Sequence, residues 1–469
     1  MNSLCLLLGS VLVGAVGMAA TNSSPVTFNK DVLPILQKNC QGCHRPGEIS
    51  PMSLLTYTDA RPWAKAMKAA VVSRKMPPWF ADPSIGHFSN QMTLSESDIN
   101  TLVSWVDNGA PEGDAREKPA PLSFTTGWNI RPDLVVQMPK PFIVPAKGAI
   151  NYKFILVKTN FPEDMWVTGA EMRAGNSKVL HHGEVWVRPP GSHWMENAIP
   201  GEAYDNETNL DIMGKKTDED GELDSEILGK FNPGLGAQSF TVEGGAKFVP
   251  KGSDLVFEAH YTAYGTETQD VSTVALTLAK APPTRRYYYT TGPMAQNLVI
   301  PAGNSNAEVV AEVTVNKDNV RLVYLQPHLH VRGKDLELRA IYPGGEAQTL
   351  LRIKWDFNWQ PGYELKEPIP LPKGTRLIDI VHFDNSPNNP FNPDPSREVL
   401  WGPQTWDEMT NVFLGVTIDP ARGYRKHVRQ VRAKPAEARD RCSWSDHGCS
   451  ELSQRGPLNR PYCIGADLS

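Results

Sequence analysis

The sequence predicts a multidomain chain: a small all-α domain followed by two all-β jelly-roll sandwich domains. Three observations predict it. Between about 26 and 110 apolar residues recur at helical spacing, clearest where Ile99, Leu102, Val103 and Val106 fall at i, i+3, i+4 and i+7. From about 124 the period changes to two, in short β-branched and aromatic runs separated by turn residues. Gly and Pro make up 77 of 469 residues, above the roughly 12% average, which favours a turn-rich β chain over a helical bundle.

The bulk properties set outer limits. A chain of 469 residues suggests about three domains. With 40% hydrophobic and 21% charged residues it can bury real cores. A net charge of -5 argues against a nucleic-acid binder working through a basic surface. Six cysteines are too few for a disulfide scaffold of this size.

Taken in order, residues 1–20 read as a secretory signal peptide, an apolar run from Leu4 ending in small residues at Ala19-Ala20. Cys5 leaves with it, and the mature protein is expected in the periplasm or secreted. No other segment is long and apolar enough to span a bilayer. Residues 24–112 carry the helical pattern; Ser95 and Asp98 offer a capping-box-like start to the last helix, and Asn108-Gly109 ends it. A Pro-rich linker follows at 113–123.

The β runs divide into 124–282 and 283–420, with Ala281-Pro282-Pro283-Thr284 as the seam; residues 205–226 read as an acidic surface loop. The tail, 421–469, is basic and weakly patterned, and Cys442, Cys449 and Cys463 could supply one disulfide with one thiol left over.

Cys40-Gln41-Gly42-Cys43-His44 is a C-x-x-C-H sequence, the pattern of c-type haem attachment. Two thiols at this spacing reach the two vinyl groups of one porphyrin, and the adjacent imidazole ligates iron. A redox dithiol or half of a zinc site is the alternative, but no second Cys pair lies nearby. Met76, in Arg74-Lys75-Met76-Pro77-Pro78-Trp79, is the favoured sixth ligand, because two prolines fix an extended loop. Met52 is too close to His44, Met67 sits in a helical pattern, and Met92 and His87 stay open. A His/Met pair raises the reduction potential relative to two His. The block resembles the small cytochrome c domains of exported bacterial proteins.

Five histidines and a methionine form a second constellation: His181-His182 before a strand-like GEVWVRP, His260 in FEAHYTAYG, His328 and His330 in YLQPHLHVRG, and Met409 in WDEMTN. Residues i and i+2 of a strand share a face, so His328 and His330 can grip one ion. An adjacent pair diverges on a regular strand but converges at a bend. Imidazole suits several metals and a thioether favours copper(I) over zinc, so spacing alone places copper only somewhat ahead.

The ordered set His-His, His, His-x-His and Asp-Glu-Met resembles the copper type II ascorbate-dependent monooxygenase family, which includes the peptidylglycine α-hydroxylating and dopamine β-monooxygenases, and most nearly bacterial proteins that join a cytochrome c domain to this copper pair. The resemblance covers roughly 124–420 and rests on short motifs. It implies two jelly rolls with one copper each. His181, His182 and His260 would hold the electron-transfer copper; His328, His330 and Met409 would hold the oxygen-activating, catalytic one.

Some positions depart from the family. Gln326 stands where the peptide-amidating members have a substrate-binding Arg, Phe413 where they have a Tyr, and no Cys occurs between Cys43 and Cys442, although Asn411 is kept. A C-terminal-glycine peptide is therefore not the expected substrate. The implied activity is hydroxylation of a C–H bond of a small organic substrate with dioxygen. Electrons would enter through the haem from an ascorbate-like reductant or a redox protein.

Two other functions compete: a non-catalytic periplasmic electron-transfer or copper-binding protein on the same scaffold, and a carbohydrate-binding sandwich with a cytochrome attached. His382 and the turn Asp384–Pro390 are expected to be structural, and His87, His193, His427 and His447 to lie on the surface.

Overall fold

The computed structural model describes residues 25–420 and 428–430, except 47, 49, 125–126, 206–207, 214–224 and 233–234. The expected signal peptide, most of the acidic loop, and the tail with His427, His447 and its three cysteines lie outside the described residues.

Four short helices open the described chain: α1 (Leu33–Asn39), α2 (Tyr57–Ala60), α3 (Ala64–Val72) and α4 (Glu96–Asp107). Each start has a local cause. Pro34 sits in the first turn of α1, where its missing N–H costs nothing. The Thr56 side chain accepts the Asp59 N–H at α2, and the Ser95 side chain accepts the Asp98 N–H at α4. Phe28, Leu33, Leu36, Met67, Leu102 and Trp105 bury together between them.

The expected fold class needs correction here. Among the described residues there is no sizeable all-α domain: the longest of these helices has 12 residues, and most of the described elements are strands. Between α3 and α4 the segment holding Pro77, Pro78, Pro83 and Gly86 cannot sustain a helical ladder. Its apolar residues are buried on the sheets instead. Trp79, Ala81 and Phe88 belong to the core of the C-terminal sandwich, with bridges Ala81–Ile353 and Phe88–Leu365.

The remainder is sandwich. The main strands are β1 (Lys153–Val157), β2 (Met165–Arg173), β3 (Leu180–Arg188), β4 (Glu226–Phe231), β5 (Gly245–Val249), β6 (Asp254–Tyr261) and β7 (Thr273–Leu278) in the first half. The second half has β8 (Arg285–Met294), β9 (Ala307–Val315), β10 (Val320–Leu329), β11 (Gly333–Ile341), β12 (Ala347–Lys354), β13 (Tyr363–Leu371), β14 (Arg376–Phe383) and β15 (Thr410–Ile418).

One nine-stranded sheet runs through both halves in the order Leu134–Gln137, β7, β2, β5, β8, β15, β10, β13, with Gln238–Ser239 beside β2. The halves join where β5 and β8 pair in parallel, Gly245 opposite Arg285. The sandwiches thus share a sheet rather than standing apart. A five-stranded sheet, Ala203–Tyr204, β1, β6, β3, β4, covers the first half, and Val167, Val185, Phe257 and Val274 fill the space between. A second, β12, β11, β14, β9, Val428–Gln430, covers the other half over Leu322, Leu336, Val381 and Leu414. The period-two reading is visible in β11, where Leu336, Leu338 and Ala340 are buried in alternation. Among the described residues no helix is long and apolar enough to cross a membrane.

Candidate functional site

β3 and β6 run antiparallel with His182 opposite His260, and the register slips at the next step, so that Tyr261 pairs with Leu180. His181 is the extra residue of a bulge. A bulge kinks the strand and re-aims one side chain, which explains how adjacent histidines turn toward a common point. Ring nitrogens of His181, His182 and His260 all lie within 4.8 Å of one another. The Nδ1 atoms of His181 and His182 are 3.0 Å apart.

Neighbouring rings fix the three imidazoles. The Tyr152 hydroxyl lies 2.8 Å from His182 Nε2, and the Tyr152 ring stacks on His260 at 4.5 Å between centroids. The Phe357 ring stacks on His181 at 5.6 Å. His260 Nδ1 is buried without a hydrogen-bond partner. Burial lowers the pKa of all three, that of His260 to about 4. Neutral imidazoles are the form that ligates metal.

The second group lies on the long sheet. β10 pairs with β15 so that His328 faces Asn411 and Leu329 faces Thr410, which brings the end of β10 toward Met409. The rings of His328 and His330 are 5.3 Å apart and nearly perpendicular. Gln360 Oε1 is 2.8 Å from His328 Nδ1. Gln360 Oε1 can only accept, so Nδ1 carries the proton and Nε2 is the ligating atom. His330 Nδ1 lies 3.3 Å from the Asp407 carbonyl. Burial depresses the pKa of His328 to about 4 and of His330 to about 3.

Glu408, fully buried, accepts the backbone N–H of His330 at 3.0 Å, of Arg332 at 2.6 Å and of Met409 at 3.4 Å. It ties the two ends of this group together. Burial raises its pKa to about 8.

Both groups open on one cavity of about 440 Å³, lined by Tyr152, His182, His328, Gln360, Met409 and Asn411 among others. The His182 and His328 rings are 6.3 Å apart. Trp186, Trp194, Trp401 and Phe413 give the cavity apolar walls. Its polar edge is the buried pair Lys230–Glu184, 2.7 Å apart. Lys230 Nζ also sits 3.5 Å over the Phe413 ring. Asn411 Oδ1 is buried without a partner. Gln326 does not face the cavity as a free anion-binding group; it accepts the Tyr289 hydroxyl and donates to the Gln360 carbonyl at 3.4 Å.

The Cys40–His44 segment follows α1 as one tight turn: the Cys43 and His44 N–H groups both donate to the Cys40 carbonyl, at 3.1 and 2.9 Å. Both thiols are free, and burial raises the pKa of each. The Ser50 hydroxyl lies 2.7 Å from His44 Nδ1, leaving Nε2 for a ligand. Met76 and Met92 are 38% and 36% exposed; Met67 is buried in the helical core.

His382 pairs with Asp335 at 2.7 Å on an adjacent strand and is structural. His193 pairs with Glu196. The carbonyl of His87 accepts the Lys366 N–H at 2.8 Å. Sequence reasoning did not single out Tyr152, Phe357, Gln360 or Glu408. For Glu408 a clue existed, its place beside Met409. The others are brought in by tertiary structure alone.

No family model matches the chain, and no curated protein matches it. Solved structures with some likeness include viral proteins. The major capsid protein P2 of bacteriophage PM2 is 11% identical, covering 62% of this chain and 99% of that one, with a TM-score of 0.27. The infectious bursal disease virus Gx strain structure is 11% identical, covering 64% and 76%, with a TM-score of 0.18. At these scores the likeness carries no argument about function.

Proposed function

We propose that this chain is an exported copper-dependent monooxygenase, related to the copper type II family, that hydroxylates a C–H bond of a small organic substrate with dioxygen. One observation carries the reading: a three-imidazole group and a His/His/Met group open on the same cavity, their nearest rings 6.3 Å apart. The donor sets fit copper. His260 Nδ1 is a buried nitrogen with no partner other than a metal it would hold, and a thioether is an unusual donor for zinc but a good one for copper(I). The residues at Cys40, Cys43 and His44 fit a covalent c-type haem, with free thiols on one turn and an imidazole anchored through Nδ1.

Bound copper supplies one-electron redox steps and activation of dioxygen, and bound haem supplies an electron store. The balance is R–H + O2 + 2 electrons + 2 protons giving R–OH + H2O, with electrons from an ascorbate-like reductant or a redox protein.

The chain's own residues do the rest. Tyr152 and Gln360 fix the orientation of His182 and His328. Glu408 holds His330 and Met409 in register. The cavity, about 440 Å³, is within the size range of small-molecule sites, and its aromatic walls offer apolar contact to a substrate. Asn411 Oδ1 offers an acceptor to a substrate hydroxyl or amine.

The test is a substrate screen on the copper-loaded, haem-bearing, reduced protein, following oxygen uptake and product. Substrate-dependent uptake with one hydroxyl formed per dioxygen supports the reading. Two coppers and a haem without such uptake would favour a non-catalytic electron-transfer or copper-binding protein instead.

A further inference from the structure

The loop 355–362, between β12 and β13, touches both histidine groups. Trp355 Nε1 donates to the His330 carbonyl at 3.0 Å. The Phe357 ring stacks on His181. Gln360 Oε1 accepts from His328 Nδ1 at 2.8 Å. At the far end of the loop the N-terminal block is docked. Asn90 donates to the Gly362 carbonyl at 2.9 Å and accepts the Glu364 N–H at 3.0 Å. Tyr363, 0% exposed, meets the Trp79 ring at 4.9 Å. Trp79 ends the Met76-Pro77-Pro78-Trp79 run, which holds the favoured haem ligand.

We propose that this loop, with Tyr363 and Trp79, is the internal electron bridge between a haem held through Met76, three residues before Trp79, and the two histidine groups. The inference rests on the haem–copper reading above. Electron transfer falls off steeply across empty gaps and is favoured along covalent bonds, short hydrogen bonds and ring contacts. The path Trp79 ring, Tyr363 ring, backbone to Gln360, and hydrogen bond to His328 consists only of such links. Pro77 and Pro78 stiffen its entry, and burial of Trp79 and Tyr363 in the sandwich core keeps the contact closed. With haem and copper bound, the step would move one electron, oxidising ferrous haem to ferric and reducing one Cu(II) to Cu(I).

The experiment uses the full chain carrying haem and two Cu(II), without oxygen. A photogenerated flavin semiquinone delivers one electron to the haem. Haem reoxidation is followed at its ferrous band, and the Cu(II) paramagnetic signal is counted in parallel. Trp79→Leu breaks the ring contact and Gln360→Leu breaks the hydrogen bond. Each should slow reoxidation by about tenfold or more, the scale seen when groups supporting a metal ligand are removed. Trp79→Phe and Gln360→Glu keep the ring and the acceptor and should restore most of the rate. Haem spectrum and melting temperature, expected unchanged, and full copper occupancy after loading at excess copper show that each variant is folded and loaded.

Wild-type transfer rates in both Leu variants, with haem and copper bound, would overturn the bridge and leave the function standing. A chain that binds no haem or no copper would overturn both.

Discussion

His182 and His328, from opposite sandwiches, face each other across one cavity with their rings 6.3 Å apart. His182 belongs to a five-stranded sheet and His328 to the nine-stranded sheet that both halves share. The continuous sheet fixes the halves against each other, and both groups line the same cavity. A substrate in the cavity would touch both walls.

Removing one imidazole should separate the two groups. His260→Ala deletes a ligand of the first group but touches none of the second. Copper content of the loaded chain should fall from about two ions to about one. Elemental analysis after dialysis reads it; loss of both ions, or of neither, contradicts the division of ligands.

Glu408→Ala leaves up to three backbone N–H groups without their acceptor. At about 1–3 kcal/mol for each buried unsatisfied group, the metal-free protein should lose about 3 kcal/mol or more. Denaturant unfolding of metal-free protein measures it, and a change under about 1 kcal/mol would deny Glu408 this role.

Much of the sandwich architecture was legible, because one-sided burial of strands writes a period of two into the sequence. So was the start of α4, where Ser95 caps the Asp98 N–H as its spacing suggests. The separate all-α domain was not real. Helical spacing at Ile99–Val106 is local, whereas the partners of Trp79 and Phe88, Tyr363 and Leu365, lie in a distant strand. The histidine clusters could be suspected from their pairing. The bulge that turns His181 inward could not, since it is a property of the β3–β6 register. Glu408 stood in view beside Met409, but its task depends on an N–H 78 residues away.

Asp379 gives a pH test of the metal-free protein, beneath the strand that follows Met409. It is fully buried, accepts the Thr410 hydroxyl at 2.7 Å, and burial raises its pKa from 3.8 to about 7. The folded state therefore holds a proton that the unfolded chain has released between these values. Stability from this group is complete below pH 3.8, declines as pH rises, and levels off above about 7. Asp379→Asn should remove that decline. Melting temperature followed across the window checks it; an unchanged slope in the variant would assign the decline elsewhere.

For the haem segment, a pyridine haemochrome spectrum of denatured protein should show a covalent c-type band. Met76→Ala should keep haem attached, lower its potential and abolish any sulfur-to-iron band. An unchanged spectrum would move the sixth ligand to Met92 or His87.

The central claim, a two-copper oxygenase centre, is tested most directly at Met409, which the folded sheets bring to the cavity that His328 also lines. X-ray absorption of the reduced, copper-loaded protein should show a copper–sulfur contact in the wild type. Met409→His should lose that contact, keep its copper, since imidazole is a competent ligand, and lose most substrate-coupled oxygen uptake. A reduced wild-type protein that holds copper but shows no copper–sulfur contact would make Met409 an ordinary cavity residue and contradict the account.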